Sequence, residues 1–300
     1  MNTTKYAVFT MDIESFADTD CIKSSGIDVD TDLLDGFDEN KKILDKYGIK
    51  STLFTVGKLA PKISDRLKTC IDNGHRLALH NYKHVAPMHL EPEKFREKIK
   101  TAKQNLSEMF NTEIEGFRAP CFSIDKERLD ILKELGFKYD SSYLDFSAAR
   151  HTVKLDLSDF KEIRKGIFCK DGFFEFGLSK QKIFGNPFPI SGGGYVRIGN
   201  WNFIKSLITQ YIKHNNYYVF YLHPFELTHQ KVPFLKGLKA IDRYYINHGI
   251  STYGQKIEYI IKLLKNCGYE FVTFEQLKDI MQKDSITNTE QESNYETNRA

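Results

Sequence analysis

Short apolar runs alternate with longer segments of helical period along most of the chain. The runs rich in β-branched and aromatic residues predict strands, and the segments with apolar residues three and four positions apart predict helices. The predicted strands are YAVFTMDI (6–13), KSTLFTVG (50–57), HRLALH (75–80), IEGFRAP (114–120), NYYVFYLHP (216–224) and YEFVTF (269–274). Strands and helices in this alternating order predict an α/β fold with a mainly parallel sheet.

The predicted helices lie between these strands, at 33–48, 61–73, 91–110, 125–136, 201–214 and 253–266, and a last one begins near Glu275. The stretch 145–200 has no long helical period, so we predict irregular β structure and loops there. Residues 283–300 are polar and are predicted to be a disordered tail. Because no linker and no internal repeat is visible, we expect a single domain over residues 1–282.

Composition and charge narrow the class of protein. The chain is 41% hydrophobic and 28% charged, which is typical of a globular domain, and its net charge is +3 without a clustered basic stripe, which argues against a nucleic-acid partner. Five scattered cysteines without a CxxC pair fit a reducing compartment. No run reaches the roughly 18 apolar residues of a membrane-spanning helix, and no signal-like segment precedes the first strand. We therefore expect a cytoplasmic protein, for which contact with a membrane surface and the oligomeric state stay open.

Side chains capable of chemistry follow four of the predicted strands: Asp12 and Glu14, His80 and His84, Arg118, and His223. The carboxyl ends of parallel strands converge on the ligand site in α/β barrels and open sheets. The sequence therefore predicts that these side chains meet at one end of the sheet.

The histidine pair lies in HNYKH, at a spacing that lets two imidazoles share one face of a helical turn. The same spacing occurs in HExxH proteases, but Asn81 replaces the glutamate that serves as their base. With a carboxylate from Asp12 or Glu14, the two imidazoles would form a catalytic zinc site with an open position. Taken alone, the pair is also compatible with a structural or surface role.

The remaining candidates each have a catalytic and a structural interpretation. Asp12 and Glu14 are two residues apart, so one could bind a metal while the other accepts a proton from water, or both could belong to an acidic loop. Arg118 could orient the free carboxylate or form a structural ion pair. His223 could protonate a leaving group or be a buried histidine bonded to the backbone.

Read in order, the motifs FTMDIES, HNYKH, RAP, YDSSY and LHP resemble those of the NodB-homology polysaccharide deacetylases, carbohydrate esterase family 4, over residues 6 to 280. RAPCFS, PFPISGGGY and YLHPFE are similar to a branch associated with exopolysaccharide biosynthesis. The resemblance implies a distorted (β/α)7 barrel of the NodB/glycoside hydrolase-deacetylase type. It also implies metal-dependent hydrolysis of an N-acyl group, most often N-acetyl, from an amino sugar.

The resemblance implies a role for each matching residue. Asp12 would be the catalytic base, oriented by Arg118. His223 would be the acid, with Asp140 as its partner, and the backbone N–H of Cys121 would contribute to an oxyanion hole. The divalent metal, most often zinc, would be held by Glu14, His80 and His84.

The chain departs from the family pattern at two positions. Asp-Ile-Glu replaces the usual adjacent Asp-Asp, so the choice of metal ligand between Asp12 and Glu14 stays open. Cys121 replaces the usual aromatic residue, and its thiol could alternatively be a nucleophile or a ligand.

The glycine-rich stretch SGGGY (191–195) lacks the Lys-Ser/Thr of a phosphate-binding loop. We predict instead that it forms one wall of a sugar cleft. The aromatic residues expected to stack on the sugar are Phe188, Tyr195 and Trp201.

These inferences converge on a metal-dependent deacetylase of an acylated amino sugar that belongs to a polysaccharide or a surface-glycan precursor. Such a precursor could be nucleotide-linked, lipid-linked or a short oligosaccharide. Two alternatives stay open at this point. One is deformylation or another carbon–nitrogen amide hydrolysis with the same residues, and the other is a non-catalytic glycan-binding relative.

Overall fold

The computed structural model describes residues 4–145 and 155–284. The predicted tail therefore lies almost wholly outside the described residues, as does the part 146–154 of the predicted irregular region. The strands are β1 (Lys5–Ile13), β2 (Thr52–Thr55), β3 (Arg76–Leu79), β4 (Gly116–Phe117), β5 (Tyr139–Asp140), β6 (Lys161–Arg164), β7 (Ile167–Lys170), β8 (Phe173–Phe176), β9 (Lys180–Ile183), β10 (Asn186–Pro189), β11 (Tyr217–Leu222) and β12 (Tyr269–Phe271).

The helices lie between these strands, mostly where the helical period predicts them. They are α1 (Asp20–Lys23), α2 (Asp35–Lys46), α3 (Ser64–Asp72), α4 (Pro92–Phe110), α5 (Lys126–Glu134), α6 (Gly193–Ile198), α7 (Trp201–His214), α8 (Ala240–Asn247), α9 (Ile250–Asn266) and α10 (274–284). The period did not predict α1, α6 and α8. Each has eight residues or fewer, which is too short to display a full amphipathic pattern.

The parallel strands follow the order β11-β1-β2-β3-β4-β5-β8, and β7 and β6 continue the sheet in antiparallel pairs. The sheet curls, so that β8 and β11, the two ends of the parallel run, approach each other. The segment that joins β8 to α6 lies between them and bonds to β11. There the N–H of Val219 donates to Ser179 Oγ at 2.9 Å, and the N–H of Tyr221 donates to the carbonyl of Ser191 at 2.7 Å. This incomplete closure confirms the predicted α/β fold with a distorted barrel.

Alternate residues of β1 point to opposite sides of the curled sheet. Phe9 and Met11 pack outward in the core shared with the helices, whereas Tyr6 and Val8 belong to an inner apolar cluster. Residues Phe274, Leu277 and Met281 of α10 complete that inner cluster. Further along the inner face of β1, the apolar residues give way to the buried polar side chains Thr10 and Asp12.

The described part of the region 145–200, for which irregular β structure and loops were predicted, contains regular strands. Its strands β6, β7 and β8 extend the main sheet, while β9 and β10 form a separate hairpin. Within the part of the chain that the structure describes, no helix combines the length and the apolar character needed to cross a bilayer.

Candidate active site

The carboxylate of Asp12 is buried at the end of β1 beside the guanidinium of Arg118, whose Nη1 donates to Asp12 Oδ1 at 2.7 Å. Arg118 also donates to Thr10 Oγ1 at 2.8 Å and to the carbonyl and hydroxyl oxygens of Ser141, both at 2.9 Å. A fully buried guanidinium needs this complete set of partners to offset its desolvation. The contacts therefore fix Asp12 through one oxygen, and Asp12 lines the cavity at this end of the barrel.

Glu14 lies just past the strand and faces both histidines of HNYKH. Its Oε2 is 2.6 Å from His84 Nε2 and 3.7 Å from His80 Nε2, and the three candidate ligand atoms all lie within 4.8 Å of one another. Because His80 Nδ1 donates to the carbonyl of Arg118 at 2.8 Å, the lone pair of a neutral His80 is on Nε2, toward Glu14. The structure thus brings together the predicted set of ligands, and it places Glu14, rather than Asp12, beside the histidines.

The surroundings of Glu14 fit a bound divalent metal. Burial by itself raises the pKa of Glu14, but the adjacent His84, His223 and His80 outweigh it and hold the pKa well below its usual range. Glu14 Oε2 is buried and makes no hydrogen bond of good geometry within residues 4–145 and 155–284, although His84 Nε2 lies 2.6 Å away. Two imidazole nitrogens and one ionised carboxylate suit zinc with an open position.

The histidine loop is not helical, although the spacing allowed a helical turn. Asn81 has a left-handed backbone with φ of 64° and bends the chain between the two histidines. Its side chain donates to the carbonyl of Val85 at 2.7 Å and accepts from the N–H of Tyr82 at 2.7 Å. Asn tolerates this conformation better than most residues, so Asn81 shapes the loop that brings His84 back towards His80.

His223 follows β11 and completes the site from the neighbouring strand. Its Nε2 lies 4.0 Å from Glu14 Oε1, and its Nδ1 lies 3.2 Å from Glu226 Oε2. Burial alone lowers the pKa of His223, but the carboxylates of Glu14 and Glu226 raise it to about 9. The site therefore favours a protonated imidazole.

The structure does not show the predicted contact between Asp140 on β5 and His223, whose Nδ1 faces Glu226 instead. Asp140 accepts hydrogen bonds from the N–H and Oγ of Ser142 at 2.9 and 3.0 Å and pairs with Glu175. Burial raises the pKa values of both carboxyl groups. Asp140 is thus part of a buried acid pair, and the partner of His223 is Glu226.

Cys121 lines the cavity and has a left-handed backbone with φ of 56°. Its N–H donates no hydrogen bond to any described residue, as an oxyanion-hole donor requires before substrate binds. Burial, with help from Asp20 and Glu14, raises the pKa of the Cys121 thiol to about 12. A thiol held protonated in this way does not support the nucleophile interpretation.

These groups surround a cavity of about 510 Å³ with an aromatic wall. The aromatic residues of the wall are Phe122, Tyr195, Tyr221, Phe225, Tyr244 and Tyr245. Tyr195 thus lies where the sequence predicts it. The other two predicted stacking residues are not among the lining residues in the part of the chain that the structure describes. Phe188 packs edge-on against Phe203 at 6.2 Å, and Trp201 packs against Tyr259 at 5.4 Å, between ring centroids.

The stretch SGGGY gives two of the wall tyrosines the space they occupy. A Cβ on Gly193 would lie 2.6 Å from the hydroxyl of Tyr221, and one on Gly194 would lie 2.3 Å from Cε2 of Tyr245. The glycines of this stretch are therefore explained by the packing of tyrosine rings at the cavity wall rather than by the binding of a phosphate.

Two of the site residues that the motifs did not predict could have been found from their spacing to His223. Tyr221 precedes His223 by two positions and so shares its face of the strand. Glu226 is the third residue after His223, the position from which a glutamate can cap a turn by accepting the N–H of the first residue. Tyr245 lies on the unpredicted helix α8 and had no comparable signal.

Two family matches cover most of the chain. Residues 24–139 match the family described as polysaccharide deacetylase, and residues 153–278 match a domain of unknown function, DUF3473. Residues 24–139 thus form a region of the polysaccharide deacetylase family. The first match contains His80, His84 and Arg118, whereas His223 and Glu226 lie within the second.

Two curated relatives each match this chain over 103 residues. The peptidoglycan deacetylase-like protein FGM2 of Gibberella zeae is 32% identical over 103 residues, which are 34% of this chain and 30% of that protein. The peptidoglycan deacetylase of Helicobacter pylori is 24% identical over 103 residues, which are 34% of this chain and 35% of that protein. The match thus spans about a third of the length of these relatives.

Solved structures of the family share the fold over nearly the whole chain. A protein described as a polysaccharide deacetylase from Mycobacterium smegmatis has a TM-score of 0.59 at 14% identity and covers 95% of this chain and 93% of its own. A CE4 family pseudoenzyme from Bacillus anthracis has a TM-score of 0.50 at 11% identity and covers 93% of this chain and 66% of its own. At these identities the similarity concerns the fold of the polysaccharide deacetylase family alone.

Proposed function

We propose that this protein hydrolyses the N-acetyl group of an amino sugar in a glycan. The observation that carries the proposal is the convergence of three groups on one cavity. Asp12 lines it as the base, His223 lines it as the acid, and the same cavity contains the cluster of Glu14, His80 and His84. The match of residues 24–139 to the polysaccharide deacetylase family supports the same reaction.

Glu14, His80 and His84 would hold a divalent metal, and zinc is the ion we propose from the two imidazoles and one carboxylate. When bound, such an ion polarises the acyl carbonyl and makes water more acidic. Asp12 accepts the proton of the attacking water, because Arg118 holds one of its oxygens and keeps the carboxylate at the cavity.

The other groups act on the acyl oxygen and the leaving nitrogen. The free N–H of Cys121 donates to the oxygen on which negative charge develops. His223 donates its proton to the nitrogen as the carbon–nitrogen bond breaks, since an amine leaves readily only when it is protonated. The rings of Tyr195 and Tyr221 offer surfaces against which a sugar can pack.

A polysaccharide or a surface-glycan precursor is the substrate we propose, and the names of the curated relatives point to a peptidoglycan-like glycan. Deformylation and other amide hydrolysis use the same groups and are outcomes of the test below. A purely glycan-binding role is less well supported, because base, acid and candidate metal ligands are all in place. The exopolysaccharide branch and the cytoplasmic location stay predictions from the sequence.

Zinc-loaded protein incubated with N-acetylglucosamine oligosaccharides should release acetate, measured by a coupled assay and mass spectrometry of the sugar. The Asp12→Asn variant should lose roughly 10²–10⁴-fold in turnover, the usual contribution of a general base, while it still binds zinc. Unchanged turnover in this variant would contradict the assignment of the base. Release of formate, or of no acid from any acylated glycan, would contradict deacetylation.

A further inference from the structure

A buried ion pair lies directly behind His223. Arg197 Nε donates to Glu226 Oε1 at 2.9 Å, and both side chains have an exposed fraction of 0%. Such a pair contributes little net stability, because desolvation of the two charges offsets their attraction. Its net contribution to folding therefore does not explain why two full charges lie at this position.

Every nitrogen of the Arg197 guanidinium has a partner. Nε binds Glu226, Nη2 donates to the carbonyl of Tyr245 at 2.8 Å, and Nη1 donates to the carbonyl of His248. Those carbonyls lie near the end of α8 and just past it. The backbone of Gly249 lies so close to Arg197 that a Cβ on Gly249 would be 2.4 Å from the carbonyl oxygen of Arg197. Arg197 is thus immobilised between α6 and α8.

Glu226 connects the immobilised Arg197 to His223 through hydrogen bonds. Its Oε1 is held by Arg197, while its Oε2 accepts from the backbone N–H of His223 at 3.0 Å and lies 3.2 Å from His223 Nδ1. The carboxylate therefore sets both the backbone and the ring of His223. With Nδ1 engaged, Nε2 is the ring nitrogen left on the side of Glu14, 4.0 Å from Oε1.

We propose that Glu226 is the positioning residue of the acid His223 and that Arg197 is its anchor, an inference that rests on the proposed deacetylase function. The relay lies within residues 153–278, which match the domain of unknown function, so it assigns that region a part in the reaction. The proton passes from His223 Nε2 to the leaving nitrogen as the carbon–nitrogen bond breaks. Glu226 stays ionised throughout and holds Nδ1–H.

The Glu226→Gln variant tests this role when its activity is compared on two substrates that differ in their leaving group. An N-acetylated oligosaccharide releases an amine that must be protonated, whereas 4-nitrophenyl acetate releases a phenolate that needs no proton. With the zinc-loaded variant, kcat for the amide should fall roughly 10²-fold or more with KM little changed, while ester hydrolysis should fall less than about threefold. Equal losses on both substrates would show a merely structural role and overturn the proposal, as would unchanged turnover of the amide.

Two further variants control for folding and charge. The double variant Arg197→Met with Glu226→Gln removes both charges of the pair, so neither remains buried without a partner, and it should show the same selective loss. Glu258→Gln removes a glutamate that is ion-paired to Lys46 at 2.8 Å on the surface, and it should leave both activities unchanged. A double variant that regains amide hydrolysis would overturn the proposal.

A second measurement needs no turnover. In ¹⁵N-histidine-labelled, zinc-loaded protein, the Nδ1–H resonance of His223 should lie downfield in the wild type and shift in Glu226→Gln. An unchanged resonance would overturn the inference. A wild type that releases no acetate from any glycan would instead contradict the proposed deacetylase function, and the resonance would still decide whether Glu226 orients the ring.

Discussion

Asp12 and Glu14 lie two positions apart in the chain and yet have different partners. Asp12 ends the regular inner face of β1 and bonds to Arg118, whereas Glu14 follows the end of the strand and reaches the two histidines. One acid is thereby held by a fixed cation, and the other faces two imidazoles that are themselves metal-ligating groups. The two acids can therefore take separate roles.

We expect the Glu14→Gln variant to bind zinc at least about 10–100-fold more weakly than the wild type, because it loses the charged ligand of the cluster. Asp12→Asn should bind zinc within about threefold of the wild type, because Asp12 bonds to Arg118 instead. Competition with a chromogenic chelator measures both affinities. The reverse order of the two variants would show that Asp12 is the metal ligand.

The element that joins the hairpin β9–β10 to α6 shapes the cavity wall by its glycines. Gly192 has φ of 117°, and a Cβ there would lie 2.1 Å from the carbonyl oxygen of Tyr221. An isolated bridge pairs these same two residues, so the backbone of this segment runs directly against β11. Close approach of two backbones, in addition to the positive φ, requires glycine here.

The Gly192→Ala variant should therefore be clearly less stable than the Gly185→Ala variant. Both positions have positive φ, with a common strain of roughly 1–3 kcal/mol, but Gly185 in the hairpin turn has nothing within 4 Å of a Cβ. The clash at Gly192 should add about 1–3 kcal/mol to its cost. Urea unfolding followed by circular dichroism compares the two, and equal losses of free energy would contradict the close packing.

Across the whole molecule, the two regions with separate family matches share one sheet. Strand β1, which precedes the deacetylase match, pairs with both β11 and β12 from the second region. Helix α10 places Phe274 in the inner cluster together with Phe54 of β2. Each region would expose a long sheet edge and apolar surface without the other.

We accordingly expect one cooperative unfolding transition for the whole chain. The single tryptophan, Trp201, lies in the second region, so its fluorescence reports on that region while far-ultraviolet circular dichroism reports on the entire fold. The two signals should change at the same temperature, and a fragment of residues 1–145 should show no cooperative transition. Separate midpoints, or a fragment that melts cooperatively, would indicate independent domains.

The sequence alone determined the order of most strands and helices and the positions from which the site is built. Strand and helix periods are local properties, and so is the location of Asp12, His80, Arg118 and His223 at or beyond the carboxyl ends of strands. A parallel sheet brings such ends together whatever the details of packing. These residues therefore specify the outline of the site without reference to tertiary packing.

Only the tertiary structure decided which side chains meet within that outline. His223 pairs with Glu226 rather than Asp140, because a turn after β11 brings Glu226 back to the ring, whereas Asp140 bonds to Ser142. Tyr245 reaches the cavity from α8, a helix too short to be visible as a period. Contacts of this kind depend on the order and curl of the strands and on the packing of distant segments, which no local pattern of residues specifies.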